Sequence, residues 1–259
     1  MTTIIGFTGR KQSGKNTMCN YVIGESLVKH EVIDKYDIAE DGGLLVPFVM
    51  PDGETGMGIL DMSSIDPRFL EYANKFLYPF VKLYSFADPL KRLCMDLLGL
   101  SYEQCYGTNE DKATKSTILW ENMPDYGKIK YALKSKAPKG LMTAREVMQH
   151  MGTEIFRKMN TNCWTDYCIN RINLDKPEIA LVCDCRFPNE ADAIKNAGGK
   201  LVRLLRGNHE DKHESEIALD PENYDQSNFD VIIDNREISK PEAFQQLSPK
   251  LAEWLGANK

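Results

Sequence analysis

No stretch of the 259-residue chain approaches the roughly 20 consecutive apolar residues that a membrane-spanning helix requires. The opening, Met1 to Phe7, lacks a basic start ahead of a long apolar run, so no secretory leader is expected. There is no internal repeat and no low-complexity tract. None of the seven cysteines shows the paired CxxC spacing of a zinc site, and their odd number and apolar surroundings fit reduced thiols in a cytoplasm. Basic residues are outnumbered, 32 against 38 acidic, for a net charge of −6. That balance lacks the broad basic face of a dedicated duplex-DNA binder. What remains is an ordinary globular composition, 42% hydrophobic and 27% charged, long enough to bury a substantial core.

The arginines are unevenly spread. Six of the ten (Arg145, Arg157, Arg171, Arg186, Arg203 and Arg206) fall between positions 145 and 206. A local cationic concentration in an acidic chain points to a small anionic ligand rather than a polyanion.

Apolar runs at 3–8, 81–86, 178–185, 200–205 and 229–233 read as buried strands. Helical patterns follow the phosphate-type loop described below, to about Lys29, and span 66–78, 88–99, 143–159, 162–173, 188–197 and 240–255. Asp66-Pro67 and Asp88-Pro89 are helix openings, Thr143 and Glu146 form a capping box, and Gly198-Gly199 is a helix stop. Strands alternating with helices predict an α/β fold, a mainly parallel sheet covered by helices on both faces. One domain, residues 1–259, is expected, with insertions. Residues 34–64 read as an inserted hairpin region. Residues 101–140, polar, lysine-rich and weakly periodic, read as a mobile, lid-like segment in which Lys112, Lys115 and Lys128 could meet phosphates.

Gly9-x4-Gly14-Lys15-Asn16-Thr17 begins where the first strand ends and a helix starts. Glycines let successive N–H groups point at phosphate oxygens, the helix N-terminus adds its positive end, and Lys15 supplies a movable point charge. Gly9, Ser13, Gly14, Lys15, Asn16 and Thr17 are the candidate nucleotide-binding residues. Asn16 stands where Ser or Thr usually follows the lysine, so direct Mg²⁺ ligation from that position is not expected.

Asp184 and Arg186 end the 178–185 strand two residues apart, a spacing that places them on one face and Cys183 and Cys185 on the other. Asp184 suits either Mg²⁺ held through water or an acceptor sugar, and Arg186 suits a phosphate. Glu190 lies in the first turn of the next helix. On the 143–159 helix, Arg145, Gln149, Gly152 and Thr153 make a polar stripe suited to a nucleotide, beside an apolar stripe of Met148, Met151, Ile155 and Met159. Trp164 suits base stacking or core. Arg206, at a strand end, is a third phosphate candidate, whereas Arg157, Arg171 and Arg203 read as structural. His209 and His213 sit in a polar loop.

The order of Gly9-x4-Gly14-Lys15-Asn16-Thr17, Ser85-Phe86-Ala87-Asp88-Pro89-Leu90-Lys91, the 145–154 helix segment and Asp184-Cys185-Arg186-Phe187-Pro188-Asn189-Glu190 resembles the deoxynucleoside monophosphate kinases of tailed bacteriophages. The resemblance implies a P-loop kinase fold and transfer of the ATP γ-phosphoryl to a deoxynucleoside 5′-monophosphate with Mg²⁺. It assigns Lys15 and Thr17 to ATP, and Arg145, Gln149, Gly152, Thr153, Trp164, Asp184, Arg186 and Glu190 to the acceptor. Lys15, Arg145, Asp184 and Arg186 are then the candidate catalytic residues. Some relatives carry a second basic residue beside Arg145, where this chain has Glu146. The loop around His213-Glu214-Ser215-Glu216 also resembles the family's. Nucleotides are the expected partners, a homodimer is compatible, and duplex nucleic acid and membrane are not expected. The other readings are a kinase for a dephospho-coenzyme A-like acceptor and a P-loop ATPase or switch. A GTPase switch would carry Asn-Lys-x-Asp, which the chain lacks.

Overall fold

The computed structural model describes residues 2–49, 53–207 and 214–256. They form two compact units: Met1–Phe86 with Cys168–Lys259, and Ala87–Tyr167.

The first unit is built on five parallel strands in the spatial order Val231–Ile233, Lys200–Leu204, Thr3–Thr8, Ile179–Cys185, Val81–Tyr84. The first strand of the chain therefore lies at the centre; on one side 179–185 is inserted between it and the earlier 81–84 strand, and on the other 200–204 and 231–233 are added outward in turn. That is the switch point at which open α/β sheets collect ligands beyond their strand ends. Alternation along the strands sorts the core. Ile5, Phe7, Leu181 and Val202 pack on one side with Val22, Ile23 and Leu27 of the Lys15–Lys29 helix and Leu247 and Leu251 of the Lys240–Trp254 helix. Ile4, Ala180, Val182 and Leu201 pack on the other with Ile172, Ala191 and Ile194. Both faces are covered, which is the arrangement of a P-loop kinase fold.

Residues 34–64 contain a three-stranded antiparallel sheet, Asp37–Ile38, Leu44–Val49 and Thr55–Ile59. It is fastened to the first helix where Asn20 Nδ2 donates to Gly42 O at 2.8 Å.

One strand departs from simple alternation. The pairing runs Gly6 with Val182 and then Thr8 with Cys185, so the 179–185 strand carries one extra residue. This bulge corrects the expected facing of its cysteines. Cys183 packs with the Leu181 side, and Cys185 belongs to the opposite cluster.

The second unit has its own core of Cys94, Cys105, Met123, Met142, Ala144 and Val147. The 101–140 stretch holds short elements that its weak periodicity conceals: helices Tyr102–Tyr106, Asn109–Ala113 and Tyr126–Leu133, and a strand, Lys115–Leu119, paired with Leu141–Thr143. Thr143 and Glu146 form the expected capping box, Thr143 N–H donating to Glu146 Oε2 at 2.7 Å. The helix they open is regular only through Gln149. His150–Phe156 is π-helical before a last turn, Arg157–Met159. The wider π turn shifts the phase of everything after it. The expected apolar stripe holds at Met148 and Met151, which pack half-buried against the core of this unit, and is corrected at its far end, where Met159 is 78% exposed; Ile155 is half-buried, and Ala144, Val147, His150 and Gly152 are buried.

Leu181 is fully buried in the central sheet, so Leu181→Ala is expected to lower unfolding free energy by about 3 kcal/mol in denaturant titration. Leu97→Ala, at a position 75% exposed, is expected to change it by no more than about 0.5 kcal/mol.

Candidate functional site

The first strand runs into the loop 9–14 and then into the Lys15–Lys29 helix. Gly9 has φ 140° and Gly14, the residue before the helix, φ 96°, both in the region that excludes most side chains. A Cβ on Gly9 would stand 2.7 Å from both Leu204 O and Ser13 Oγ. Gly14, at the N-cap of that helix, has no side chain with which to cap its first turn. Asn16 is exposed, while Thr17 is buried with Gly42 of the inserted sheet lying against its hydroxyl.

Lys15 turns back into its own loop. Its ammonium donates to Gly9 O at 2.7 Å, Arg10 O at 2.8 Å and Ser13 Oγ at 3.3 Å. Burial, with the nearby Arg186 guanidinium adding to it, brings the Lys15 pKa down to about 8, against the pull of Glu216, Cys183 and Asp184. The loop is held from outside by Asn235, whose Nδ2 donates to Ser13 O at 2.8 Å and whose Oδ1 accepts from Arg206 N–H at 2.9 Å. Arg10 pairs with Asp220, which also takes Arg203 at 3.0 Å.

Asp184 accepts from Ser85 Oγ at 2.5 Å and from Phe86 N–H at 3.0 Å. Arg186 pairs with Glu216. Lys15, Asp184 and Arg186 thus lie within one electrostatic neighbourhood in the first unit. Glu190 is buried and accepts from Arg186 N–H at 2.8 Å and Phe187 N–H at 3.1 Å, closing the start of the Pro188–Asn196 helix. Arg203 is buried against Asp220 and the Phe229 ring, and Arg171 pairs with Asp175 one turn away.

The remaining candidates lie in the second unit. Arg145, Gln149 and Thr153 are exposed. Gly152 is buried, with Leu90 packed where a Cβ would stand at 2.6 Å. Trp164 is buried; its indole N–H donates to Gly152 O at 3.3 Å and its ring tilts against Phe156. The Glu146 carboxylate is engaged in the Thr143 cap.

Two further lysines carry weight here: Lys112, one of the three expected to meet phosphates, and Lys91, to which the sequence reading gave no role. Lys91 sits over the Tyr106 ring at 4.4 Å, and that phenol donates to Asp88 at 2.5 Å. Lys112 donates to Gly107 O at 2.6 Å, and its pKa is lowered by burial and by the neighbouring charges of Lys91 and Arg145. Arg145 itself donates to Asn109 Oδ1 at 2.9 Å. Lys112 therefore stands in the second unit within the fields of two other cations, Lys91 and Arg145. Lys91 was visible in sequence only as the last residue of the Ser85–Lys91 motif. His209 and His213 lie outside the described residues. Among the described residues there is no cluster of three or more His, Cys, Asp or Glu fit to hold a metal, and no helix is long and apolar enough to cross a membrane.

The family model for deoxynucleotide monophosphate kinases matches residues 94–240. The chain belongs to that family. A protein of Acanthamoeba polyphaga mimivirus, whose name places it among the same kinases, is 33% identical over 149 residues, covering 52% of this chain and 67% of the relative. The matched family segment starts beyond the loop at 9–17, so the loop geometry is an observation independent of it.

A lysine titrating near 8 carries its charge below that pH and loses it above. Affinity for a nucleoside triphosphate, measured by calorimetry, is expected to be steady well below about pH 8 and to weaken as pH rises through it. Lys15→Arg, which stays charged, is expected to lose that dependence.

Proposed function

We propose that the protein transfers the γ-phosphoryl group of ATP to the 5′-phosphate of a deoxynucleoside monophosphate, yielding the diphosphate and ADP. The observation that carries the donor half is the loop that folds around the Lys15 ammonium. Its Gly9, Arg10 and Ser13 oxygens hold the charge until phosphate oxygens take their place. The acceptor half is supported by Lys112, which Lys91 and Arg145 both crowd, since a phosphate dianion relieves a repulsion that water alone must otherwise screen.

In the transfer, an oxygen of the acceptor phosphate forms a bond to the γ-phosphorus while the bond from that phosphorus to the β,γ-bridging oxygen breaks. The electron pair leaves with ADP. Little covalent chemistry falls to the protein, whose task is to position two anions and offset their repulsion. Lys15 and the N–H groups entering the first helix take the charge that develops on the leaving β-phosphate. Arg186 and Arg145 neutralise oxygens of the transferred and acceptor phosphates. Gln149 and Thr153 offer exposed polar groups to the acceptor nucleoside, while Trp164 and Gly152 set the shape of the helix that carries them.

Asp184 is the oxygen donor that suits Mg²⁺, its carboxylate already oriented by Ser85 and Phe86. Mg²⁺ keeps several waters and takes one or two protein oxygens beside substrate phosphates, so a larger cage is not required. Held by Asp184 through water, it would supply further charge neutralisation.

The decisive test measures ADP formation with ATP and Mg²⁺ against a panel of deoxynucleoside monophosphates, ribonucleoside monophosphates and dephospho-coenzyme A. Turnover is expected to depend on a deoxynucleoside monophosphate, and Lys15→Ala is expected to lower it by at least ~100-fold without loss of the fold. Turnover that ignores the acceptor would point to an ATPase, and preference for dephospho-coenzyme A to the other kinase reading.

A further inference from the structure

One carboxylate stands inside the network of the loop without a part in the transfer described above. Glu216, in the short helix Glu214–Ile217, has a side chain only 6% exposed. Its Oε2 accepts the Lys11 N–H at 2.5 Å, and its Oε1 takes the Arg186 guanidinium. The Lys15 ammonium lies within its field. A turn later Asp220 holds Arg10 and Arg203. The 214–220 segment thus grips the loop at Arg10 and Lys11 and the end of the 179–185 strand at Arg186.

This arrangement answers a physical difficulty. Lys15 and Arg186 are like charges whose mutual repulsion contributes to the lowered pKa of the lysine. An arginine unrestrained at a strand end would lean away from the loop and sample many rotamers. Glu216 opposes both tendencies with one carboxylate, whose two oxygens reach two separate elements. Its contact on the loop is at Lys11, away from the end where the helix begins. That leaves the helix N-terminus to a phosphate, and distinguishes a brace from a blocking group.

We propose that Glu216 is a positioning residue for phosphoryl transfer: bridging the Lys11 N–H and the Arg186 guanidinium, it holds Arg186 at the phosphate loop before substrates bind. The proposal rests on the kinase reading above. Preorganisation of this kind raises the rate of the chemical step more than it alters ground-state binding.

The test is steady-state kinetics of Glu216→Gln, Arg186→Gln and the double variant, with melting temperatures measured alongside. Glutamine keeps the shape but removes the charge and one acceptor oxygen. Glu216→Gln is expected to lower kcat by ~10-fold or more while the ATP KM stays within about twofold, without change in melting temperature. In the Arg186→Gln background the same substitution is expected to cost almost nothing, because the residue acts through Arg186. Glu216→Asp, with the charge kept and the reach shortened, is expected to fall between wild type and Glu216→Gln. Full additivity of the two losses, or a kcat that is unchanged or raised in Glu216→Gln, overturns the proposal alone. A wild-type protein without acceptor-dependent turnover overturns the kinase reading and this proposal with it.

Discussion

The first unit is organised around the place where the Lys15 ammonium is put. Burying a cation is costly unless it is bonded on several sides, and here the partners are two carbonyls and a hydroxyl of the loop that precedes it. Carbonyls that turn inward to meet the ammonium require a curled backbone, hence the positive φ at Gly9 and Gly14. The curl is then pinned from outside by groups that arrive late in the chain: Asn235 on Ser13, Asp220 on Arg10 and Glu216 on Lys11. The central position of the first strand explains how they reach it. Strand 200–204 is laid beside it in parallel and 231–233 beside that one, so the segments that leave their ends arrive at the same edge of the sheet as the loop.

The second unit handles charge differently. Lys112 does not meet a backbone oxygen alone but is crowded by other cations, and its pKa is lowered by Lys91 and Arg145 as well as by burial. Asp111 partly offsets the cations at Lys112, while Asp88 is bonded to the Tyr106 phenol and paired with Arg92. A net acidic chain therefore holds cationic side chains close together in two small places, one in each unit. The arginine crowding in sequence resolves in the same way. Arg145 and Arg186 are the two proposed to meet phosphate, whereas Arg203 and Arg171 serve local ion pairs.

Features set by neighbours in sequence were legible in the chain itself. The Thr143–Glu146 cap, the Asp66 cap, the apolar strands and the glycine-framed loop each depend on residues a few positions apart, and local pattern reveals them. Features set by register or distance were not. The extra residue between Val182 and Cys185 has no signature in an apolar run, and it turned Cys183 away from Cys185. The π-helical turn at His150–Phe156 ended a stripe that a period of 3.6 had carried through Met148, Met151 and Ile155 to Met159: the first two meet the core and Met159 does not. His150 marks the reason, being buried with its Nε2 2.7 Å from Asp125 in a stretch that periodicity left blank. Asn235 and Glu216 lie about 200 residues from the loop groups they hold; resemblance had drawn attention to the 213–216 segment, but which groups either residue would hold was not readable from a single sequence.

The account stands or falls on where the γ-phosphorus of ATP goes, and phosphorus NMR follows that atom directly. With ATP, Mg²⁺ and a deoxynucleoside monophosphate, the γ resonance is expected to diminish as the β-phosphorus of a deoxynucleoside diphosphate grows in equal amount. Growth of inorganic phosphate in place of the diphosphate, at the same rate with and without the acceptor, would contradict it.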